Sequence, residues 1–179
     1  MNDLMIDIET LGTKPGCVIL SISAVVFDLK TGNTQDIFHQ NISAYDSVKQ
    51  GLKIDTETFM WWMEQSKEAQ NKVVELRNQM KLRNTIISFC RFIYNNTSKD
   101  VKVWGNSARF DLGILEAAFN LFDIETPWKH YNELDVRTLI SFAPEIKAAT
   151  KFEGIPHYGI DDCKHQIKYC TAIYQKLKI

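Results

Sequence analysis

Asp7-Ile8-Glu9-Thr10-Leu11-Gly12 decides how the rest of this 179-residue sequence is read. Leu4, Met5 and Ile6 lead into it, so a buried first strand that ends in a turn is expected here. Side chains two apart on a strand share a face. Asp7 and Glu9 therefore point one way, and Ile6 and Ile8 the other. Two ionised carboxylates on a buried strand repel each other, and burial adds a desolvation cost. A divalent cation relieves both problems, and Mg2+ or Mn2+ prefers oxygen ligands. The bland alternative is a strand end whose acids reach water. Further acids along the chain decide between the two.

The length fits one domain, residues 1–179, with a substantial core. Hydrophobic residues make up 45% and charged residues 24%, which is ordinary globular composition. No apolar run approaches the ~18 residues of a membrane span, so no membrane partner is expected. The N-terminus lacks the basic start and apolar core of a secretory signal. Cys17, Cys90, Cys163 and Cys170 are scattered without a Cys-x-x-Cys pair, which points away from zinc and disulfides and toward a reducing cytoplasm, the host's if a phage encodes the chain. The net charge of -1 hides an asymmetry. Residues 67–110 hold nine Lys/Arg against three Asp/Glu, whereas residues 111–162 hold four against ten. A basic middle can meet a polyanion and an acidic segment can hold cations, although such runs are commonly solvated faces. The near-neutral total argues against coating of long nucleic acid through many phosphate contacts.

Beyond the Lys14-Pro15-Gly16 turn, Val18 to Phe27 has a strand's period, with Leu20, Ile22, Ala24 and Val26 on one face and Ser21 and Ser23 interrupting the other. Thr31-Gly32-Asn33 turns the chain, and Ile37 to Ile42 returns as a third strand. Short turns favour an antiparallel meander. Helical spacing then predicts helices over Thr56–Glu64, over Lys67–Met80 (polar, with part of it open to being exposed loop) and over a run carrying Leu82, Ile86, Phe89, Phe92 and Ile93 that Asn95-Asn96-Thr97-Ser98 stops. Val101 to Trp104 reads as a short strand, followed by a helix with Phe110, Ile114, Leu115, Ala118 and Phe119. Leu134 to Phe142 reads as a short helix ended by Pro144. Ile160, Cys163, Ile167, Cys170, Tyr174 and Leu177 mark the last helix. The order implies an α/β domain with a mixed sheet, its first three strands antiparallel, flanked by α-helices.

Two more acids lie where such a sheet builds sites. Asp111 follows Gly105-Asn106-Ser107-Ala108-Arg109-Phe110, where a strand gives way to a helix. Asp162 opens the last helix after His157-Tyr158-Gly159-Ile160-Asp161. Either acid can also serve its helix dipole or cap, and Asp161 fits the latter role. His157 in the approach loop is a candidate base beside the acids.

Asp7, Glu9, Asp111 and Asp162 with His157 resemble the DEDD pattern of proofreading-type 3'-5' exonucleases. The resemblance spans nearly the whole chain in three ordered blocks, Asp7 to Thr10, Asn106 to Asp111, and His157 to Asp162. Thr58-Phe59-Met60-Trp61-Trp62-Met63-Glu64-Gln65 and Asp135-Val136-Arg137-Thr138-Leu139 look like a smaller branch of phage and bacterial enzymes related to a mycobacterial exoribonuclease. That superfamily divides by a His five residues before the last Asp or a Tyr four before it, and this chain has both, His157 and Tyr158. The Trp pair and Asp-x-Arg-Thr look like the His branch. An unperturbed His also titrates near ~6.5 against ~10 for Tyr.

The resemblance implies an RNase H-like fold and a metal-dependent 3'-5' exonuclease. Asp7, Glu9, Asp111 and Asp162 would be its ligands to two divalent cations, Mg2+ or Mn2+, and His157 its base. It would act on the 3' end of single-stranded DNA or RNA and release nucleoside 5'-monophosphates. Thr10 and Leu11 match positions that touch the terminal nucleotide. Trp61 and Trp62 offer a stacking surface, and since neighbours on a helix point about 100° apart, one of them is expected to face substrate, unless both are core. Asn106 suits a sugar or phosphate contact or a helix cap. Asp135 and Arg137 suit a structural ion pair as well as catalysis. Homodimers occur in that branch. Two alternatives stand beside this reading: a non-catalytic nucleic-acid-binding module on the same fold, and a metal-dependent phosphoesterase of small nucleotides.

Overall fold

The structure, a computed structural model, describes residues 1–73, 75 and 78–177. Its central strand is β1 (Asp3–Thr10), the strand that Leu4 to Ile6 predict. β2 (Ile19–Phe27) pairs antiparallel with β1, and β3 (Thr34–Asn41) pairs antiparallel with β2, completing the expected meander. On the other flank β4 (Lys102–Gly105) runs parallel to β1, and β5 (Glu133–Asp135) parallel to β4. The sheet order is β3-β2-β1-β4-β5. Parallel neighbours need crossovers, and helices provide them here.

Chain order introduces the helices as α1 (Ala44–Lys49), α2 (Thr56–Glu64), α3 (Lys67–Val73), α4 (Leu82–Asn96), α5 (Ala108–Asn120), α6 (Val136–Ser141), α7 (Pro144–Ala149) and α8 (Gly159–Leu177). They cover both faces of the sheet. Leu4, Ile6 and Ile8 join Ile86, Phe89 and Ile93 of α4 and Leu112, Leu115 and Phe119 of α5 in one core. Met5, Val25 and Phe27 join Cys163, Ile167, Cys170 and Ile173 of α8 in the other. Each such side chain, fully buried, contributes about 1.5–3 kcal/mol of transfer free energy. The two cores hold β1 in place, and its acids lie on the α8 face.

The strand register explains the two serines that interrupt β2. Asp7 stands opposite Ser23 and Glu9 opposite Ser21, and both serines are buried. Small side chains there let α8 approach. A Cβ added at Gly159 would lie 2.5 Å from Ser23 Oγ and 3.1 Å from Asp7 Oδ2, so only glycine lets the first turn of α8 seat against the acids. Across the cleft, a Cβ at Gly105 would come within 3.0 Å of Asp111 Cβ.

Three expectations are corrected. Leu134 does not begin a helix: Glu133–Asp135 pair with β4, and Asp135 caps a helix that starts at Val136. Sheet pairing outweighs a helical reading that depended on only a few apolar residues. Pro144 does not end that helix, which stops at Ser141; it opens α7 at the first-turn position, where its missing N–H leaves no intrahelical bond unmade. In the Lys67–Met80 segment α3 ends at Val73, positions 74, 76 and 77 lie outside the described residues, and Met80 bridges Ile42 as extended chain. The short helix α1 has no counterpart in the predicted elements; Ser43 caps it by accepting from the Asp46 N–H.

Candidate active site

The acids meet where the C-terminal end of β1, the start of α5 and the start of α8 converge. Asp7, Glu9 and Asp162 each bring one oxygen into a group whose members lie within 4.8 Å of one another. Asp111 stands outside that group but lines the same cleft of about 270 Å³ with them and His157. Its Oδ2 accepts the Ser107 N–H at 3.1 Å, which fixes the carboxylate at the mouth of α5. Asp161, by contrast, faces away and accepts the Ile155 N–H at 2.9 Å, tying the approach loop to α8.

Burial dominates the electrostatics. It raises Asp111 and Asp162 to about 6, against the opposing pull of the Ser107 N–H on the first and of a His157 backbone hydrogen bond on the second. Burial also lifts Asp7 and Glu9 well above the ordinary carboxylate range, and the neighbouring acids push them further. Asp162 Oδ2 is buried without a hydrogen-bond partner. Gathered, dehydrated carboxylates with an unpartnered oxygen are a donor set for a hard divalent cation, so these residues fit the metal the resemblance implies.

His157 and Tyr158, adjacent in sequence, part in space. His157 adopts φ 65°, a left-handed conformation uncommon outside glycine, and its ring enters the cleft. Partial burial lowers its basicity. Tyr158 turns to the other side, its ring 5.0 Å from that of His39 and beneath Lys72 Nζ. His39 in turn is hydrogen-bonded to Ser23 through Nδ1 at 2.8 Å.

The two tryptophans also divide. Trp61 is 42% exposed and meets the His157 ring edge-on at 4.9 Å. Trp62 is 5% exposed, and its indole N–H donates to the Thr10 carbonyl at 2.8 Å. Both border a recess of about 710 Å³ that shares Ile8, Glu9 and Phe110 with the acidic cleft and is also lined by Thr10. Leu11 lies differently from the other candidates: its side chain belongs to the core, its N–H donates to Val18 O and its carbonyl accepts the Asp55 N–H. Asn106 lines the cleft with Oδ1 buried and unpartnered.

One cleft residue has no place in the sequence-based expectations, and a second had two open roles. Gln166 donates through Nε2 to Asp7 Oδ1 at 2.9 Å. The available signal was its place four residues after Asp162 on the helix, which puts both on one face. For Asp135 and Arg137 a structural ion pair and a catalytic role were both open; no such pair forms, and Asp135 accepts the Thr138 N–H and the Ala108 N–H, holding the starts of α6 and α5 together. Arg137 lines the cleft, lowers Asp111 by its charge and makes no salt bridge among the described residues.

Nucleases are among the solved structures that share this fold. The nuclease domain of 3'hExo, a DEDDh family member bound to rAMP, superposes with a TM-score of 0.66 at 13% identity, covering 97% of this chain and 92% of that one. E. coli exonuclease I, in complex with an oligonucleotide, gives 0.57 at 18% identity, with 98% of this chain and 40% of that one. Among curated proteins, the exodeoxyribonuclease of Enterobacteria phage T4 is 23% identical over 198 residues, 93% of this chain and 86% of that protein. Fold and relatives together define a 3'-5' exonuclease of RNase H-like fold, a hydrolase whose acidic group suits a divalent metal. More particularly, the chain belongs to the 3'-5' exoribonuclease Rv2179c-like domain family, whose model matches residues 2–174. Membership removes the alternative of a non-catalytic binding module.

Proposed function

We propose that this exonuclease holds two Mg2+ or Mn2+ ions in the acidic cleft and releases nucleoside 5'-monophosphates from the 3' end of a single strand. The observation that carries the reading is the convergence of Asp7, Glu9 and Asp162 oxygens within 4.8 Å, with Asp162 Oδ2 unpartnered. These three would hold one cation, and Asp111 together with Asp7 the second. Bound cations lower the pKa of a water and offset charge on the attacking and leaving oxygens.

The side chains around them divide the remaining work. Burial lowers the basicity of His157 and so favours the neutral ring, whose free nitrogen would take the proton of the attacking water. Trp61 offers its exposed ring to the terminal base, a contact worth ~1–3 kcal/mol. Trp62 holds the Thr10 carbonyl and so shapes the floor of that recess. Arg137, without a carboxylate partner among the described residues, supplies the cation for a strand phosphate. Asn106 Oδ1 is an acceptor, so it suits a sugar hydroxyl and not a phosphate oxygen. RNA and DNA ends both belong to the proposal: the matched family carries an exoribonuclease name and the phage T4 relative an exodeoxyribonuclease name.

Replacement of Asp111 by Asn tests the reading. The expected variant folds like the wild type and loses Mg2+- or Mn2+-dependent release of mononucleotides from a 5'-labelled strand. Normal turnover by Asp111→Asn would overturn it. Matched RNA and DNA strands in the same assay establish which sugar is preferred.

A further inference from the structure

Gln166 is 4% exposed and sits one turn beyond Asp162 on the face of α8 that packs against β1. Its neighbours on that face, Cys163, Ile167 and Cys170, are buried in an apolar cluster. A side chain there for packing alone would be apolar. The amide instead makes one hydrogen bond, Nε2 to Asp7 Oδ1 at 2.9 Å, and leaves Oε1 buried without a partner. The orientation of the amide is not arbitrary. With a cation bound Asp7 is ionised and only accepts, so the atom facing it is then the NH2 and the orphan is the carbonyl oxygen. Gln166 lines the acidic cleft with the carboxylates, and among the described residues no donor reaches Oε1.

We infer that Gln166 is a positioning residue for the metal ligand Asp7: Nε2 fixes the carboxylate's rotation, and Oε1 accepts a hydrogen bond from a water on the cation. The inference rests on the proposed metal site. Asp7 is the carboxylate shared by both proposed cation sites, so its orientation sets how the two sites divide its oxygens. Oδ1 is tied to α8 through Gln166, and Oδ2 lies 3.1 Å from the Cβ position of Gly159, so both oxygens are held against the first turns of one helix. The same helix thus presents a ligand, Asp162, and the device that aims a second ligand on another strand. Side chains that orient metal ligands in this way typically change metal affinity 10–100-fold when removed.

The test replaces Gln166 by Leu in the full chain, with Gln166→Met as a second, unbranched replacement should Leu disturb the fold. Mn2+ binding is measured by titration calorimetry without nucleic acid. Oligonucleotide hydrolysis is then followed across Mn2+ concentrations. The expected result is a fall in Mn2+ affinity of about 10–100-fold, a matching rise in the Mn2+ needed for half-maximal rate, and little change in KM for the oligonucleotide at saturating metal. The melting temperature without metal should stay within a few degrees of wild type. Wild-type Mn2+ affinity in both variants would overturn the inference while leaving the nuclease reading intact. So would a fall in melting temperature with unchanged metal dependence, which is the signature of a packing role. A wild-type chain that takes up no Mn2+ would overturn the metal reading itself, and this inference with it.

Discussion

The two faces of β1 are built by opposite rules. On one, Leu4, Ile6 and Ile8 are buried at 4% exposure or less among the side chains of α4 and α5. On the other, Met5 gives way to Asp7 and Glu9, which α8 covers with Asp162, Gln166 and a glycine. Both faces bury apolar side chains that stabilise the fold, but only the second also buries a group of acids. The second gathers carboxylates that burial pushes toward protonation. A strand pinned by one face can carry an unfavourable arrangement on the other, which is how a rigid metal site is made without flexible loops.

Paired substitutions on the two faces measure this division. Glu9→Gln should reduce kcat by roughly 10³-fold or more, since the several kcal/mol that metal ligation supplies is about a decade of rate for each 1.4 kcal/mol. Its melting temperature without metal should not fall, because a buried charge is removed. Ile6→Ala should do the reverse, losing about 2–5 kcal/mol of stability with near-normal turnover per folded molecule. Urea denaturation alongside single-turnover hydrolysis separates the two. A Glu9→Gln variant that unfolds more easily and still turns over would erase the distinction.

A smaller contrast of the same kind exists within two adjacent residues. Trp62→Ala removes a buried ring and the bond to the Thr10 carbonyl, and should cost about 3–5 kcal/mol of stability. Trp61→Ala should leave melting nearly unchanged and raise KM for oligonucleotides about 5- to 150-fold, the equivalent of ~1–3 kcal/mol of stacking. Melting curves and initial rates on the same preparations decide it. Equal loss of stability in both variants would place Trp61 in the core.

The core face was legible in advance because its signal is periodic. Alternation through β1 and β2, and three- and four-residue steps through α4, α5 and α8, name the buried residues directly. On the acid face the carboxylates that meet there were legible, as acids where acids are costly. What surrounds them was legible only in part. Gln166 and Arg137 carry no periodic mark, and each gains meaning from a neighbour far away in sequence, Asp7 for the first and Asp111 for the second. The role of Asp135 was not legible for a related reason: its partners are the backbone N–H groups of Ala108 and Thr138, and backbone donors leave no trace in composition. Tyr158 and His157 could be ranked by chemistry, but only the left-handed turn at His157 sends the two rings to opposite sides. Glu133-Leu134-Asp135 became a strand through pairing with β4, which no local pattern announces.

The opposition between the faces should also be visible in how metal stabilises the fold at different pH. Asp111 and Asp162 have folded-state pKa values of about 6, and Asp7 and Glu9 are raised as well, whereas carboxyls of the unfolded chain titrate near ~4. Between those values the folded protein binds more protons than the unfolded one, so the metal-free fold loses stability as pH rises through this window. A cation reverses the sign, since it binds the ionised carboxylates of the folded chain and is excluded where they are protonated. Mn2+ should therefore raise the melting temperature little at pH 5. At pH 7.5 and 100 times its Kd it should contribute about 2.7 kcal/mol, or roughly 5–10 °C for a chain of this size. Differential scanning calorimetry with Mn2+ or EDTA at the two pH values checks the prediction. A metal-induced shift equal at both would mean that these carboxylates are not the groups that bind it.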